Sequence, residues 1–205
     1  MSDASIVAAR PPGATELVLL FHGVGASAAD LLPLAEAIAA VRPQAFAVSV
    51  DAPHPSGLGR GREWFSVLGV TEESRPPRIA AAMPLFRDTV AHWQREGGIG
   101  PDRTTLVGFS QGSIMSLEST QSDEPLAGRV IALAGRFAQP VRRAPAAVHY
   151  HFIHGTDDPV IAAHFSAEAA EAIGRLGGSA SVDLLPGLGH GVDARAAKLA
   201  LGYLG

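Results

Sequence analysis

Apolar residues along this chain fall into two patterns. Short, mostly apolar runs recur at Leu17–Phe21, Ala45–Val50, Leu106–Val107, Arg129–Ala134, Val148–Ile153 and Ser181–Leu185. Each predicts a strand, and the continuous run Leu17–Phe21 predicts one covered on both faces. Between them, apolar positions recur at spacings of three and four, as on one face of a helix. From Asp30 to about Val41 the stripe is Leu31, Leu34, Ala35 and Ile38. Asp30 is the expected N-cap, because Pro33 is tolerated only within a first turn. From Arg78 to about Glu96 the stripe is Ile79, Met83, Phe86, Val90 and Trp93, and Gly97-Gly98 stops it. Pro84 should kink that helix or mark its true first turn. Ile114, Met115 and Leu117 open a third helix. Ile161 to Leu176 forms a fourth, ended by Gly177-Gly178, and Asp193 to Leu204 a last one. Strands and helices thus alternate along the whole chain. This predicts an α/β fold over residues 1–205, one domain with a mainly parallel sheet flanked by helices and right-handed crossovers.

Composition narrows the partners. The 205 residues carry 16 Lys and Arg against 20 Asp and Glu, a net charge of −4 with no basic patch, which argues against nucleic acid. The longest apolar runs, such as Ile6–Ala9, are far too short to cross a bilayer, so no stable membrane insertion is expected. Met1-Ser2-Asp3-Ala4-Ser5 lacks the basic-then-apolar layout of a signal peptide. The absence of cysteine removes disulfides, thiolate metal sites and a cysteine nucleophile, and fits a cytoplasmic protein. The segment from Asp51 to Pro77 is rich in Gly, Pro and Arg, and loops of this length within a domain are usually functional or mobile. Its Trp64 and Phe65 either anchor it to the core or line a pocket.

Candidate chemistry centres on Gly108-Phe109-Ser110-Gln111-Gly112, between an apolar strand and a helical stripe. A G-x-S-x-G turn in that setting exposes the serine hydroxyl above the sheet. The following N–H, of Gln111, starts a helix and points where an oxyanion would form. The plainer alternative is a glycine-bounded turn whose serine only caps the helix. In parallel sheets, sites form at the carboxyl ends of strands. Applied strand by strand, that rule gathers His22-Gly23-Val24, Ser110, Asp158 and His190 on one edge. A serine needs a base in hydrogen-bond reach, and the base needs a third group to fix its tautomer. The order Ser, Asp, His along the chain is that of α/β-hydrolases.

Several stretches carry a specific resemblance: Leu20-Phe21-His22-Gly23-Val24-Gly25, Arg62-Glu63-Trp64-Phe65-Ser66-Val67, Gly108-Phe109-Ser110-Gln111-Gly112-Ser113, Ala127-Gly128-Arg129-Val130-Ile131-Ala132, His154-Gly155-Thr156-Asp157-Asp158-Pro159-Val160 and Gly189-His190. With them the chain resembles the α/β-hydrolase family of small carboxylesterases, lysophospholipases and acyl-protein thioesterases, and most nearly a bacterial esterase subgroup. The resemblance implies Ser110 as nucleophile, Asp158 as orienter and His190 as base, with the N–H groups of Val24 and Gln111 as oxyanion hole. Its H-G-x-x-D pattern selects Asp158 over the adjacent Asp157.

The other histidines have plainer roles. His22 and His154, at strand ends, are expected to prop their loops. His149 and His151 share one strand face, but no third metal ligand is apparent, and the resemblance implies no metal or other cofactor. His54, His92 and His164 read as surface or packing residues.

Trp64, Phe65 and Leu68 are expected to shape an acyl pocket, with Phe137 as a further wall. Without room for a separate lid domain, the expected site is open, and the expected substrate is a small-molecule ester with a short acyl chain. A lysophospholipase or acyl-protein thioesterase with the same triad is the second reading. A binding protein with a vestigial triad is a third, and lactone, peptide or C–C hydrolysis uses similar machinery. Relatives of the resembled family include homodimers, but no apolar stripe in the sequence marks an interface.

Overall fold

Leu17 to Phe21 are fully buried because strand β2 (Glu16–Phe21) has a strand on either side and helices on both faces. A computed structural model describes residues 4–205. Met1, Ser2 and Asp3, the start of the stretch read for a signal layout, lie outside the described residues. The remaining elements are β1 (Ile6–Ala9), α1 (Ala28–Val41), β3 (Ala45–Val50), β4 (His54–Pro55), β5 (Arg62–Glu63), α2 (Arg75–Gly97), β6 (Thr104–Phe109), α3 (Gln111–Ser119), β7 (Arg129–Leu133), β8 (His149–Gly155), α4 (His164–Arg175), β9 (Ser179–Leu185) and α5 (Ala194–Gly202).

The main sheet runs β1-β3-β2-β6-β7-β8-β9. Its central and right-hand pairs are all parallel, and only the edge strand β1 is antiparallel, on β3. Alternate residues of each strand point to opposite faces. Leu17, Leu19 and Phe21 accordingly meet Ile79, Phe86 and Val90 of α2 and Met115 of α3. Val18 and Leu20 meet Leu31, Leu34 and Ile38 of α1, in a cluster that α5 joins through Ala196 and Ala200. Helix α4 completes the first face with Ala169 and Ile173 over Phe152. The architecture is that of an α/β-hydrolase with no separate lid over the sheet edge among the described residues.

Several local expectations are corrected. Ser27, not Asp30, caps α1: Asp30 sits at the third helical position and its carboxylate accepts from the Ser27 N–H at 2.8 Å, closing a capping box. Pro33 then lies inside the helix. Helix α2 begins three residues earlier than expected, with Pro76 and Pro77 in its first turn, and continues through Pro84. The long loop therefore ends before Arg75, and part of it is a small hairpin of β4 on β5. Helix α4 begins at His164 rather than Ile161, because the Val160 and Ile161 N–H groups turn back onto Asp158.

Candidate active site

The serine stands on a bend that the backbone alone can make. Ser110 has φ 52° and ψ −113°, a conformation costly for a residue with a side chain. Surrounding structure holds it there. The Ser110 N–H donates to the Leu133 carbonyl at 3.0 Å, and the Ser110 carbonyl accepts from Ile114 N–H at 3.0 Å. Helix α3 packs so closely on β2 that a Cβ at Gly112 would overlap the Phe21 carbonyl. The Ser113 hydroxyl lies between the Gly108 and Leu133 carbonyls, at 2.5 and 2.8 Å, and ties the start of α3 to the ends of β6 and β7.

His190 arrives from the loop after β9. His190 Nε2 lies 2.9 Å from Ser110 Oγ, and its Nδ1 donates to Asp158 Oδ2 at 2.7 Å. The Phe109 ring lies 5.1 Å from the imidazole, centre to centre. Asp158 has a buried carboxylate whose Oδ1 accepts from the Val160 and Ile161 N–H groups at 2.8 and 2.9 Å. Burial alone would raise its carboxyl, but the hydrogen bonds from His190, Ile161 and Val160 outweigh that and hold it below the ordinary value. With Oδ2 ionised, Nδ1 keeps its proton and Nε2 is left as an acceptor facing the serine. Asp157 turns away, taking a hydrogen bond from the Thr156 hydroxyl at 2.7 Å.

Gly23, next to Val24, passes the elbow so closely that an added Cβ would stand 3.2 Å from Ser110 Cβ. Neither the Val24 N–H nor the Gln111 N–H meets an acceptor among the described residues. The loop carrying Val24 is clamped from outside. Gly25 N–H donates to the Arg62 carbonyl at 3.0 Å, and Arg62 N–H to the Ala26 carbonyl at 2.8 Å. The Arg62 guanidinium reaches the Ala52 and Pro53 carbonyls and pairs with Asp51 at 3.0 Å. His22 props the same loop, donating from Nδ1 to the Gly23 carbonyl at 2.7 Å and accepting the Ala52 N–H at Nε2, 3.0 Å away.

The four side chains expected around an acyl pocket do not gather in one place. Trp64, 2 % exposed, packs edge-on to Phe21 and Phe86 at 6.1 and 5.0 Å and belongs to the core. Of the two readings of Trp64, this packing matches the anchoring one. Phe65 is also buried in that cluster. Leu68 is exposed on the loop. Phe137 lines a cavity of about 800 Å³ with Arg136, Phe165 and Glu72, and no triad residue lines it. There the Arg136 guanidinium lies 3.9 Å over the Phe165 ring and pairs with Glu72 at 3.0 Å.

Two features escaped sequence reasoning. The Gln111 side chain clamps the long loop to the elbow, accepting from Trp64 N–H at 2.7 Å and donating to the Phe65 carbonyl at 2.8 Å. His154 also approaches Asp158, at 3.2 Å. Only the position of His154 in the H-G-x-x-D stretch hinted at it. Of the paired histidines, His149 is exposed, whereas His151 stacks on Tyr203 at 3.9 Å.

A serine, an imidazole and a carboxylate linked in series at the carboxyl edge of a parallel sheet define an α/β-hydrolase. The phospholipase/carboxylesterase family model matches residues 1–204, and the chain belongs to that family of hydrolases. It is 43 % identical over 202 residues to the esterase YpfH of Escherichia coli K12, covering 98 % of this chain and 87 % of that one. The crystal structure of esterase PE8 superposes with a TM-score of 0.85 at 28 % identity, over 99 % of this chain and 97 % of that one. A Bacillus cereus carboxylesterase shares the fold, with a TM-score of 0.82 at 18 % identity over 98 % and 93 % of the two chains. No helix among the described residues is long and apolar enough to cross a membrane.

Proposed function

We propose that residues 1–205 work as one domain that hydrolyses small, short-chain acyl esters through an acyl-enzyme on Ser110. The observation that carries this is the series Ser110 Oγ, His190 and Asp158 at 2.9 and 2.7 Å, with the Val24 and Gln111 amides free of acceptors among the described residues. Ser110 Oγ attacks the acyl carbon while its proton passes to His190 Nε2. The carbonyl oxygen takes up the electron pair and is held by the Val24 and Gln111 N–H groups, a contribution of about 3–4 kcal/mol per donor in such sites. As the carbonyl re-forms, the ester bond breaks and His190 gives its proton to the departing alkoxide. Water then attacks the acyl-enzyme, His190 takes its proton, and the acid leaves as Ser110 regains a hydrogen. Asp158 stays ionised throughout and stabilises the imidazolium.

The packing of Trp64 and Phe65 in the core supports a short acyl site, since neither side chain walls a deep groove. The exposed Leu58 and Leu68 favour the second reading, a lysophospholipase or acyl-protein thioesterase, because they would suit a longer chain at the surface. A cysteine-free chain with net charge −4 supports work in the cytoplasm, on a small ester and not on nucleic acid.

Wild type and Ser110→Ala should be compared on p-nitrophenyl acetate, butyrate, octanoate and palmitate, with fluorophosphonate labelling read by mass spectrometry. The expected result is a label on Ser110, no turnover by the variant, and rates falling from butyrate to palmitate. A rate rising toward palmitate would select the long-chain reading. A wild type that neither labels nor turns over would leave a binding protein.

A further inference from the structure

His154 lies near the end of β8 with its side chain fully buried, and no step of the reaction above uses it. Its Nε2 is 2.8 Å from the Ile161 carbonyl and 3.2 Å from Asp158 Oδ2. Its Nδ1 is 2.7 Å from the Ser166 hydroxyl on α4. The Ile161 carbonyl only accepts, so Nε2 carries the proton and shares it between that carbonyl and the carboxylate. Nδ1 then accepts from Ser166. The same Oδ2 takes the hydrogen bond from His190 Nδ1. One carboxylate oxygen therefore stands between two imidazoles, one locked inside the fold and one facing the serine.

The titratable groups facing Asp158 are His154 from β8 and His190 from the loop after β9. Behind His154, among the described residues, helix α4 presents the Ser166 hydroxyl to Nδ1, and the exit of β7 the Gly135 carbonyl, 3.5 Å from that hydroxyl. No arginine or lysine pairs with Asp158 among the described residues.

We propose that His154 is a positioning residue for ester hydrolysis, its Nε2–H drawing charge from Asp158 Oδ2 and so limiting how tightly Asp158 holds a proton on His190. The proposal rests on the esterase reading of Ser110. A carboxylate stripped of one donor attracts an imidazolium more strongly. Without His154 the base stays protonated, and idle, to a higher pH. A histidine that merely fills space beneath the loop would affect stability and leave the pH profile alone.

The test is the acidic limb of kcat/KM on p-nitrophenyl acetate for wild type, His154→Phe and His154→Gln, with thermal unfolding of each. In His154→Phe the limb should move up by about half a pH unit. In His154→Gln, whose side-chain amide restores an N–H near the Nε2 position, it should return toward wild type. An unmoved limb in folded His154→Phe overturns the proposal. If that variant does not fold, nitrogen-15 NMR of the wild type decides: the Nε2–H tautomer of His154 supports the proposal and the Nδ1–H tautomer overturns it. Fluorophosphonate labelling of wild-type Ser110 reports on the esterase reading separately, because it does not depend on which nitrogen of His154 carries the proton.

Discussion

The two halves of the proposed triad are held in place by different physics. Ser110 is held by shape. Its bend at φ 52° persists because α3 lies against β2 with no room for a Cβ at Gly112, and because main-chain hydrogen bonds close the elbow on both sides. Asp158 and His190 sit on loops and are held by directional hydrogen bonds, four of them converging on one carboxylate. A residue held by shape fails when a neighbour grows. A residue held by hydrogen bonds fails when a donor is lost or reversed, even if nothing moves.

Asp158→Asn tests the second half and should have the largest effect. The Val160 and Ile161 N–H groups require an acceptor, so the asparagine oxygen takes the Oδ1 position and its NH₂ faces His190. That reverses the imidazole tautomer and leaves Nε2 protonated toward the serine. A fall in kcat of about 10⁴-fold is expected in a folded protein. A loss below about tenfold would show that Asp158 does not set the tautomer. The substitution should also change acid stability. Because the folded carboxyl lies below its ordinary value of 3.8, wild type has stability from this group at neutral pH and loses it as pH falls below that value. The asparagine variant should lack that component in acid-unfolding curves.

Gly112→Ala tests the first half. The added methyl meets the Phe21 carbonyl in a central strand that cannot retreat, so α3 must shift and carry the elbow with it. A loss of about 2–3 kcal/mol in denaturant unfolding is expected, together with slower fluorophosphonate labelling of Ser110. A variant as stable and reactive as wild type would mean that Ser110 is not held by shape.

The same distinction governs what could be read from the chain. Buried strands announce themselves by apolar runs, so β2, β3, β6, β7 and β8 were legible, as was the order of Ser110, Asp158 and His190 at their ends. Strand β1 was not, because its four residues sit half-exposed at an edge, and a two-residue hairpin carries no periodicity at all. The site followed the same rule. Motif spacing marks residues that act through their own side chains. It does not mark Gln111 as a clamp on Trp64 and Phe65, because those backbone groups meet it across more than 40 positions of sequence. Adjacency of Phe137 in sequence to the β7 exit likewise did not reveal that the chain turns at Ala134, with φ 48°, and places Phe137 in a cavity with Arg136 and Phe165.

The smallest effect separates holding the site from holding the fold. His151 and His154 lie on β8 but face opposite sides of the sheet, His154 toward Ser166 of α4 and His151 toward Tyr203 beyond α5. Among the described residues no carboxylate forms an ion pair with His151. It stacks on Tyr203 and meets the Ser181 hydroxyl at 2.8 Å. Burial, reinforced by the charges of Arg129 and His149 and only partly offset by Asp183, lowers it from 6.5 to about 4. Between those two values the unfolded chain binds a proton that the folded chain refuses, so stability falls as pH drops through the window and is unaffected above it. Allowing for screening of a part-exposed ring, the loss is about 1–2 kcal/mol. In His151→Phe, which keeps a stacked ring and removes the proton site, urea midpoints should be flatter from pH 6.5 to 4. The acidic limb of kcat/KM should not move, because His151 faces the opposite side of the sheet from Asp158 and touches none of the residues of the proposed mechanism. If the limb moved with the urea midpoint, acid inactivation would be a loss of fold, and the separation between a shape-held and a bond-held half would not describe this enzyme.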